Sequence, residues 1–176
     1  MAGKEYQKAL DHFLLAQVPD EEAGSARSGN RDIQVNYFIG QAYEALKMDD
    51  KAIDYYALAT KAETSGRPGI MSYYQGLCFQ RLKDKAKADE IFNALIEYGD
   101  KAMNRDADAQ DDFFAAFGER EAENTRKSQA YTLRGLGYNG LGKTSQAKQD
   151  LKNAVELSFS NLWANTELKN IDMKRP

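Results

Sequence analysis

Four groups of residues could do chemistry. The densest is DADAQDD, where Asp106, Asp108 and Asp111 offer carboxylates to a hard cation such as calcium. Their spacing rejects it. With Asp106 as first ligand, the sixth position of a calcium loop should be glycine and the twelfth glutamate, and here they are Asp111 and Phe117. Carboxylates beside the amides of a helix start account for the run instead. His12 is the single histidine; it adjoins Phe13 and reads as a surface or capping residue. Cys78 is the single cysteine, so an internal disulfide and a multi-cysteine zinc site are excluded. Lying between Leu77 and Phe79, it reads as a buried, inert thiol. The glycines of RGLGYNGLGK suggest a phosphate loop, but the Gly-Lys-Ser/Thr ending is not in register. No Ser-His-Asp or Cys-His set assembles. The expectation is a non-enzyme with no catalytic residue, no metal site and no cofactor.

The 176 residues are long enough for one domain with a real core, and 42% of them are hydrophobic. A net charge of −3, without a basic run, argues against nucleic acid as a partner. No apolar run approaches the roughly 18 residues of a membrane span. MAGKEYQKAL lacks the apolar core of a signal peptide. The expectation is a soluble chain without a membrane partner; the compartment is left open, with the cytoplasm as the default. Only three prolines interrupt a chain rich in Ala, Leu, Lys and Glu, so helix is favoured throughout.

The elements emerge from an internal repeat. Three segments align without a gap, starting at Asn36, Ser72 and Tyr131. A glycine recurs at Gly40, Gly76 and Gly135, and an aromatic three residues later at Tyr43, Phe79 and Tyr138. Nine further on stand Ala52, Ala88 and Ala147; then come Tyr56, Phe92 and Leu151, and Ala59, Leu95 and Ala154. Each segment reads as an antiparallel helical hairpin. The glycine admits the second helix, the aromatic fills the space beside it, and the alanine avoids a clash near the turn. MDD, KD and GKT supply the links.

This pattern resembles the tetratricopeptide repeat, whose consensus runs W-x2-L-G-x2-Y, then A-x3-F, then A. Asn36, Ser72 and Tyr131 replace the consensus tryptophan, and Gln75 and Arg134 replace the leucine before the glycine. The resemblance implies an all-α, right-handed superhelix of antiparallel helix pairs. The whole chain, 1–176, reads as a single domain. It comprises a half repeat at 1–18, repeats at 32–63, 68–96 and 129–158, a helical insertion at 97–128, and a capping helix at 160–172. In the half repeat, Ala9, Phe13 and Ala16 match the second-helix trio, so the chain is expected to begin mid-repeat as a fragment, or else with a cap helix. Trp163, Ala164, Leu168 and Ile171 form the apolar side of the last helix.

The recurring alanines are separated by 43, 36 and 59 residues, against a family period of about 34. The first excess falls in VPDEEAGSARSGNRD, a predicted loop, and the second in TSGRPG before a helix from near Pro68. The third is the acidic insertion. Ala102 and Met103 should extend the preceding helix through Gly99. A short helix capped by Asp106 should then end at Gly118, and the next helix should start near Arg120. Phe113, Phe114 and Phe117 either pack this short helix onto its neighbours or form a contact patch for another chain.

What remains for function is a surface. In such stacks the first helices line a groove, and counting places Tyr37, Gln41 and Glu44, then Tyr73, Leu77 and Gln80, then Thr132, Leu136 and Asn139 along it. Tyr and Leu would grip a peptide or helix while the amides bind its backbone. Leu77 and Leu136 are also placed to meet neighbouring helices. A Lys/Arg carboxylate clamp is not evident. The stretch from Asp111 to Ala164, with RPGIMSYYQGL, further resembles the C-terminal repeat region of large bacterial proteins. Those proteins carry an uncharacterised, β-rich, mutarotase-like or carbohydrate-associated domain. The expected function is a non-catalytic protein–protein interaction scaffold. Its partner would be a protein or peptide, the upstream domain of its own chain, or a second copy in a homo-oligomer. The alternative is an accessory domain completing the active site of a carbohydrate-processing parent.

Overall fold

The computed structural model describes residues 2–16, 28–62, 64, 66–104 and 113–173, with 2, 3, 28–30 and 113–122 described as backbone only. Every regular element among them is an α-helix. In order they are α1 (Ala2–Ala16), α2 (Ser28–Ala45), α3 (Asp49–Lys61), α4 (Ile70–Arg81), α5 (Lys85–Met103), α6 (Phe113–Gly140), α7 (Thr144–Leu157) and α8 (Leu162–Met173). They form two compact units, Met1–Glu90 and Ile91–Pro176, whose boundary falls inside α5.

The hairpins α2–α3, α4–α5 and α6–α7 close by one mechanism. The residue seven after the repeat glycine turns left-handed: Lys47 at φ 61°, Lys83 at 63° and Gly142 at 73°. Its N–H donates to the carbonyl three residues back, and the following N–H to the carbonyl five back, at 2.9–3.0 Å in every hairpin. These paired bonds satisfy carbonyls that the helix end leaves open. Met48, Asp84 and Lys143 then accept the first helical bond from Ala52, Ala88 and Ala147, which fixes the recurring alanine one turn into each second helix. Asp84 also caps with its side chain, accepting from Lys87 N–H at 3.2 Å.

The glycines act as close-approach points. A Cβ on Gly40 would lie 2.4 Å from the Tyr56 ring, and one on Gly135 would lie 3.0 Å from Leu151 Cγ. The repeat predicts a close helix approach at both glycines; the side chains that meet them are findings of the structure. In the second unit Gly137 and Gly140 also bring α6 onto α5, where added Cβ atoms would fall 2.6 Å from the Phe92 carbonyl oxygen and 2.3 Å from its ring. Gly99 does the same from the α5 side, 2.8 Å from the Ala130 carbonyl oxygen.

The first unit is built on aromatic contacts. Phe13 of α1 stacks on Phe38 of α2 at 5.5 Å, and Tyr74 of α4 meets both Tyr37 and Phe38 at 5.3 and 5.5 Å. In α1 the fully buried residue is Leu10, while Ala9 is half-buried and Ala16 exposed. The second unit packs Ala147, Leu151 and Ala154 of α7 against Ala164 and Ile171 of α8, with Tyr131, Tyr138 and Leu168 around them. Asn161 seats α8. Its Oδ1 accepts from the Ala164 N–H at 3.1 Å, and its Nδ2 donates to Ser128 and Thr132, both at 2.8 Å.

The two residues that depart from the consensus leucine have polar work. Gln75 turns its amide nitrogen to the final carbonyls of α3, those of Ala59, Thr60 and Ala62, at 3.3, 3.3 and 3.0 Å. Arg134 grips buried Asp150 through two bonds of 2.6 and 2.7 Å and reaches Asp100 at 2.8 Å. The hydrogen bond to Asp150 raises the guanidinium pKa, with Asp100 adding to it against the opposing effect of burial.

Two helix boundaries, those of α2 and α6, differ from expectation. α2 begins at Ser28, so SGNRD is helical rather than loop. α4 begins at Ile70, close to the expected start near Pro68, with Gly69 extended and its N–H donating to Ser72 Oγ at 3.2 Å. α6 runs unbroken from Phe113 through Gly118 to Gly140, so the expected stop at Gly118 and restart at Arg120 do not occur. A helical glycine costs only about 1 kcal/mol, which the Ala, Glu and Arg neighbours on both sides offset. Residues 105–112, with the expected Asp106 cap and the DADAQDD carboxylates, lie outside the described residues. α5 extends through Gly99 to Met103 as expected, and Arg126 donates to the Ala102 carbonyl in its last turn.

Gly40→Ala should destabilise by about 1–3 kcal/mol in denaturant melts, because Tyr56 cannot retreat without disturbing its hydrogen bond. Arg134→Leu should cost about 3 kcal/mol by stranding Asp150, and R134L/D150L should recover most of the loss. Equal stability of the single and double variants would show that the pair does not act as a unit.

Candidate functional site

The predicted groove positions separate into two kinds. Those three residues before each repeat glycine, Tyr37, Tyr73 and Thr132, are buried at 7%, 3% and 2% exposure. They share the glycine's face of the helix and are covered by neighbouring helices. Tyr37 lies against Tyr56 and Tyr74, Tyr73 against Tyr74, and Thr132 donates to the Ser128 carbonyl at 2.7 Å. Leu136 is also buried. The positions four after the glycine are reachable: Glu44 and Asn139 are half-buried and Gln80 is exposed, as Gln41 and Leu77 are half-buried. Phe113, Phe114 and Phe117 lie in the first turns of α6, and their side chains fall outside the described residues.

Two of the reachable residues line an open depression of about 470 Å³ in the first unit, formed by Tyr6, Gln41, Glu44 and Ala45. A polar network stands behind it. Gln41 donates its amide to the Tyr37 hydroxyl at 2.8 Å. The Tyr56 hydroxyl donates to Glu44 Oε2 at 2.8 Å, and Arg81 donates to Glu44 Oε1 at 3.1 Å. Arg81 also bonds the Tyr37 hydroxyl. The side chains of α2, α3 and α4 are thereby joined at one point.

Burial, and after it the bond to Glu44, pushes the Tyr56 hydroxyl well above its ordinary pKa. Burial works to lower the Arg81 pKa, but Glu44, Tyr56 and Tyr37 outweigh it and the net shift is upward. The guanidinium therefore stays protonated at any physiological pH. Neither the Tyr56 hydroxyl nor the Arg81 guanidinium is poised for proton transfer near neutrality.

Sequence counting missed Tyr6, Ala45 and Arg81. Tyr6 lies on α1, which reads as a second helix and so falls outside a count of groove helices. Arg81 sits one residue past the last counted position of α4, and 37 residues of chain separate it from Glu44. Opposite charge at the ends of α2 and α4 permits the pair, but no repeat spacing relates the two residues.

The isolated chemical candidates resolve as structure. Cys78 is fully buried, and burial, partly opposed by Arg81, pushes its thiol up to about 12. Such a thiol is no nucleophile at neutral pH. His12 is exposed. Among the described residues no cluster of His, Cys, Asp and Glu could hold a metal ion, and no helix is long and apolar enough to cross a membrane.

A family model described as Tetratricopeptide repeat matches residues 33–65 and 128–161, and a second with the same description matches 71–98. Solved structures similar to the chain include the first TPR of Spaghetti (RPAP3) bound to the HSP90 peptide SRMEEVD. It is 23% identical, with 82% of this chain and 93% of that one covered and a TM-score of 0.30. The first TPR domain of human RPAP3 gives the same identity and coverage with a TM-score of 0.32. MamA from residue 41 to its end, from Desulfovibrio magneticus RS-1, is 18% identical, with 98% and 84% covered and a TM-score of 0.32. No curated protein matches the chain. The matched repeats span more than half of its residues, and the chain belongs to the tetratricopeptide-repeat family.

Proposed function

We propose that this chain is a non-catalytic protein–protein interaction scaffold whose binding face in the first unit is the depression at Tyr6, Gln41, Glu44 and Ala45. The observation that carries the reading is the coincidence of two independent selections. Gln41 and Glu44 are groove positions by repeat register, and both line the same open concavity. Family membership supports a protein or peptide as the partner. Gln41 uses its amide nitrogen on Tyr37 and can offer its side-chain oxygen to the N–H of an extended peptide. Tyr6, 45% exposed, supplies a ring for a peptide side chain. Tyr37 and Tyr73 act as the supporting layer beneath. In the second unit Asn139 is the reachable counterpart, and Gln80 is the exposed position on α4.

The wider context belongs to the same proposal. The domain is the C-terminal helical region of a larger bacterial protein, and Phe113, Phe114 and Phe117 form a further contact patch on it. The likeness of the stretch from Asp111 to Ala164 to repeats that follow a mutarotase-like domain favours a second reading. On that reading the helices complete the active site of a carbohydrate-processing parent.

Peptides enriched on this chain from a random display library provide the test of the binding face. The double variant Tyr6→Ala/Gln41→Ala should weaken the best of them by about tenfold, near 1.4 kcal/mol. Its melting temperature should stay within about 3 °C of the parent. Wild-type affinity in that variant would place the binding face elsewhere.

A further inference from the structure

The charges at the depression are internally balanced, and this bears on the kind of peptide it would take. Of its four lining residues only Glu44 is charged. Both of its carboxylate oxygens are engaged, Oε1 by Arg81 and Oε2 by the Tyr56 hydroxyl. Arg81 in turn is held by Glu44 and the Tyr37 hydroxyl. On α1, near Tyr6, Lys8 Nζ lies 3.8 Å from Glu5. Besides the paired Glu44 carboxylate, the opening presents the Tyr6 ring, the Ala45 methyl and the Gln41 amide.

We infer that the depression selects an uncharged, extended peptide segment and discriminates against acidic and basic side chains at its centre; this rests on the depression being the binding face. An incoming carboxylate could reach other N–H groups of Arg81, but it would then compete with Glu44 for the same cation and lie close to a like charge. The half-buried Glu44 carboxylate would have its neutralisation weakened while Tyr56 still donates to it. An incoming ammonium would meet a carboxylate already neutralised, and would lose its own hydration for little return. A neutral segment disturbs none of these bonds. Its backbone pairs with the Gln41 amide, and an apolar side chain covers the Tyr6 ring.

The selectivity is held by two side chains of opposite sign, so removing either should invert it in a stated direction. The tightest peptide from the random display library is remade with glutamine, glutamate or lysine at its most sensitive position. Each form is titrated against the full chain at low and high sodium chloride. The wild-type chain should bind the glutamine form about tenfold more tightly than either charged form, with little dependence on salt. Arg81→Gln should move the preference to the lysine form, and Glu44→Gln to the glutamate form, each now weakened by salt. A wild-type preference for a charged form, falling with salt, overturns the inference even if neither variant folds. Loss of binding in Tyr6→Ala/Gln41→Ala together with such a charged preference leaves the binding face standing and removes only its selectivity. Peptides indifferent to Tyr6→Ala/Gln41→Ala remove both.

Discussion

The close approach of a glycine to a bulky side chain of the next helix is the constraint on which the other features rest. Gly40 faces Tyr56 at a separation that leaves no room for a methyl group, and Gly135 faces Leu151 at one that would admit it only if the leucine shifted. Interhelix distance in α2–α3 and in α6–α7 is set there. The left-handed closing residue and the alanine one turn into the second helix follow, because only that path returns the chain at the required spacing. Gly142 meets the left-handed requirement without strain, whereas Lys47 and Lys83 meet it at some cost. The paired carbonyl bonds of the turn and the apolar burial behind it offset that cost.

Apolar packing fixes distance, and polar bonds fix which helices meet. Gln75 and Arg134 stand where the repeat consensus has leucine, yet neither is a weakness in the packing. Gln75 satisfies the open end of α3, and Arg134 ties α6 to Asp150 on α7 and Asp100 on α5. Asn161 joins the start of α8 to Ser128 and Thr132 on α6 in the same manner. A leucine satisfies many neighbours equally well, whereas a buried guanidinium or amide tolerates only the arrangement that completes its bonds.

The candidate binding face follows from this use of polar groups. Tyr56 is at once the ring against Gly40 and the hydroxyl on Glu44. The side chain that spaces α2 and α3 therefore also orients the carboxylate at the depression. Arg81 extends the same connection to α4. At the proposed binding face, a side chain's charge and direction are set by the packing beneath it.

Local pattern determined a large share of this molecule. Glycine, aromatic and alanine at constant intervals were enough to identify the three hairpins, the close approach of two helices at the repeat glycine, and the extension of α5 through Gly99. These depend on helix geometry and near-neighbour sterics, both of which have a fixed period along the chain. The continuity of α6 through Gly118 was not legible, since a glycine ends a helix only when the next residues gain by leaving it. Nor was the burial of Tyr37, Tyr73 and Thr132, because register gives a direction around a helix but not what lies in that direction. The Glu44–Arg81 pair and the place of Tyr6 at the depression were decided by tertiary structure alone. Their partners are distant in sequence, and no periodicity relates an ion pair across repeats to the hydroxyl and the ring that complete it.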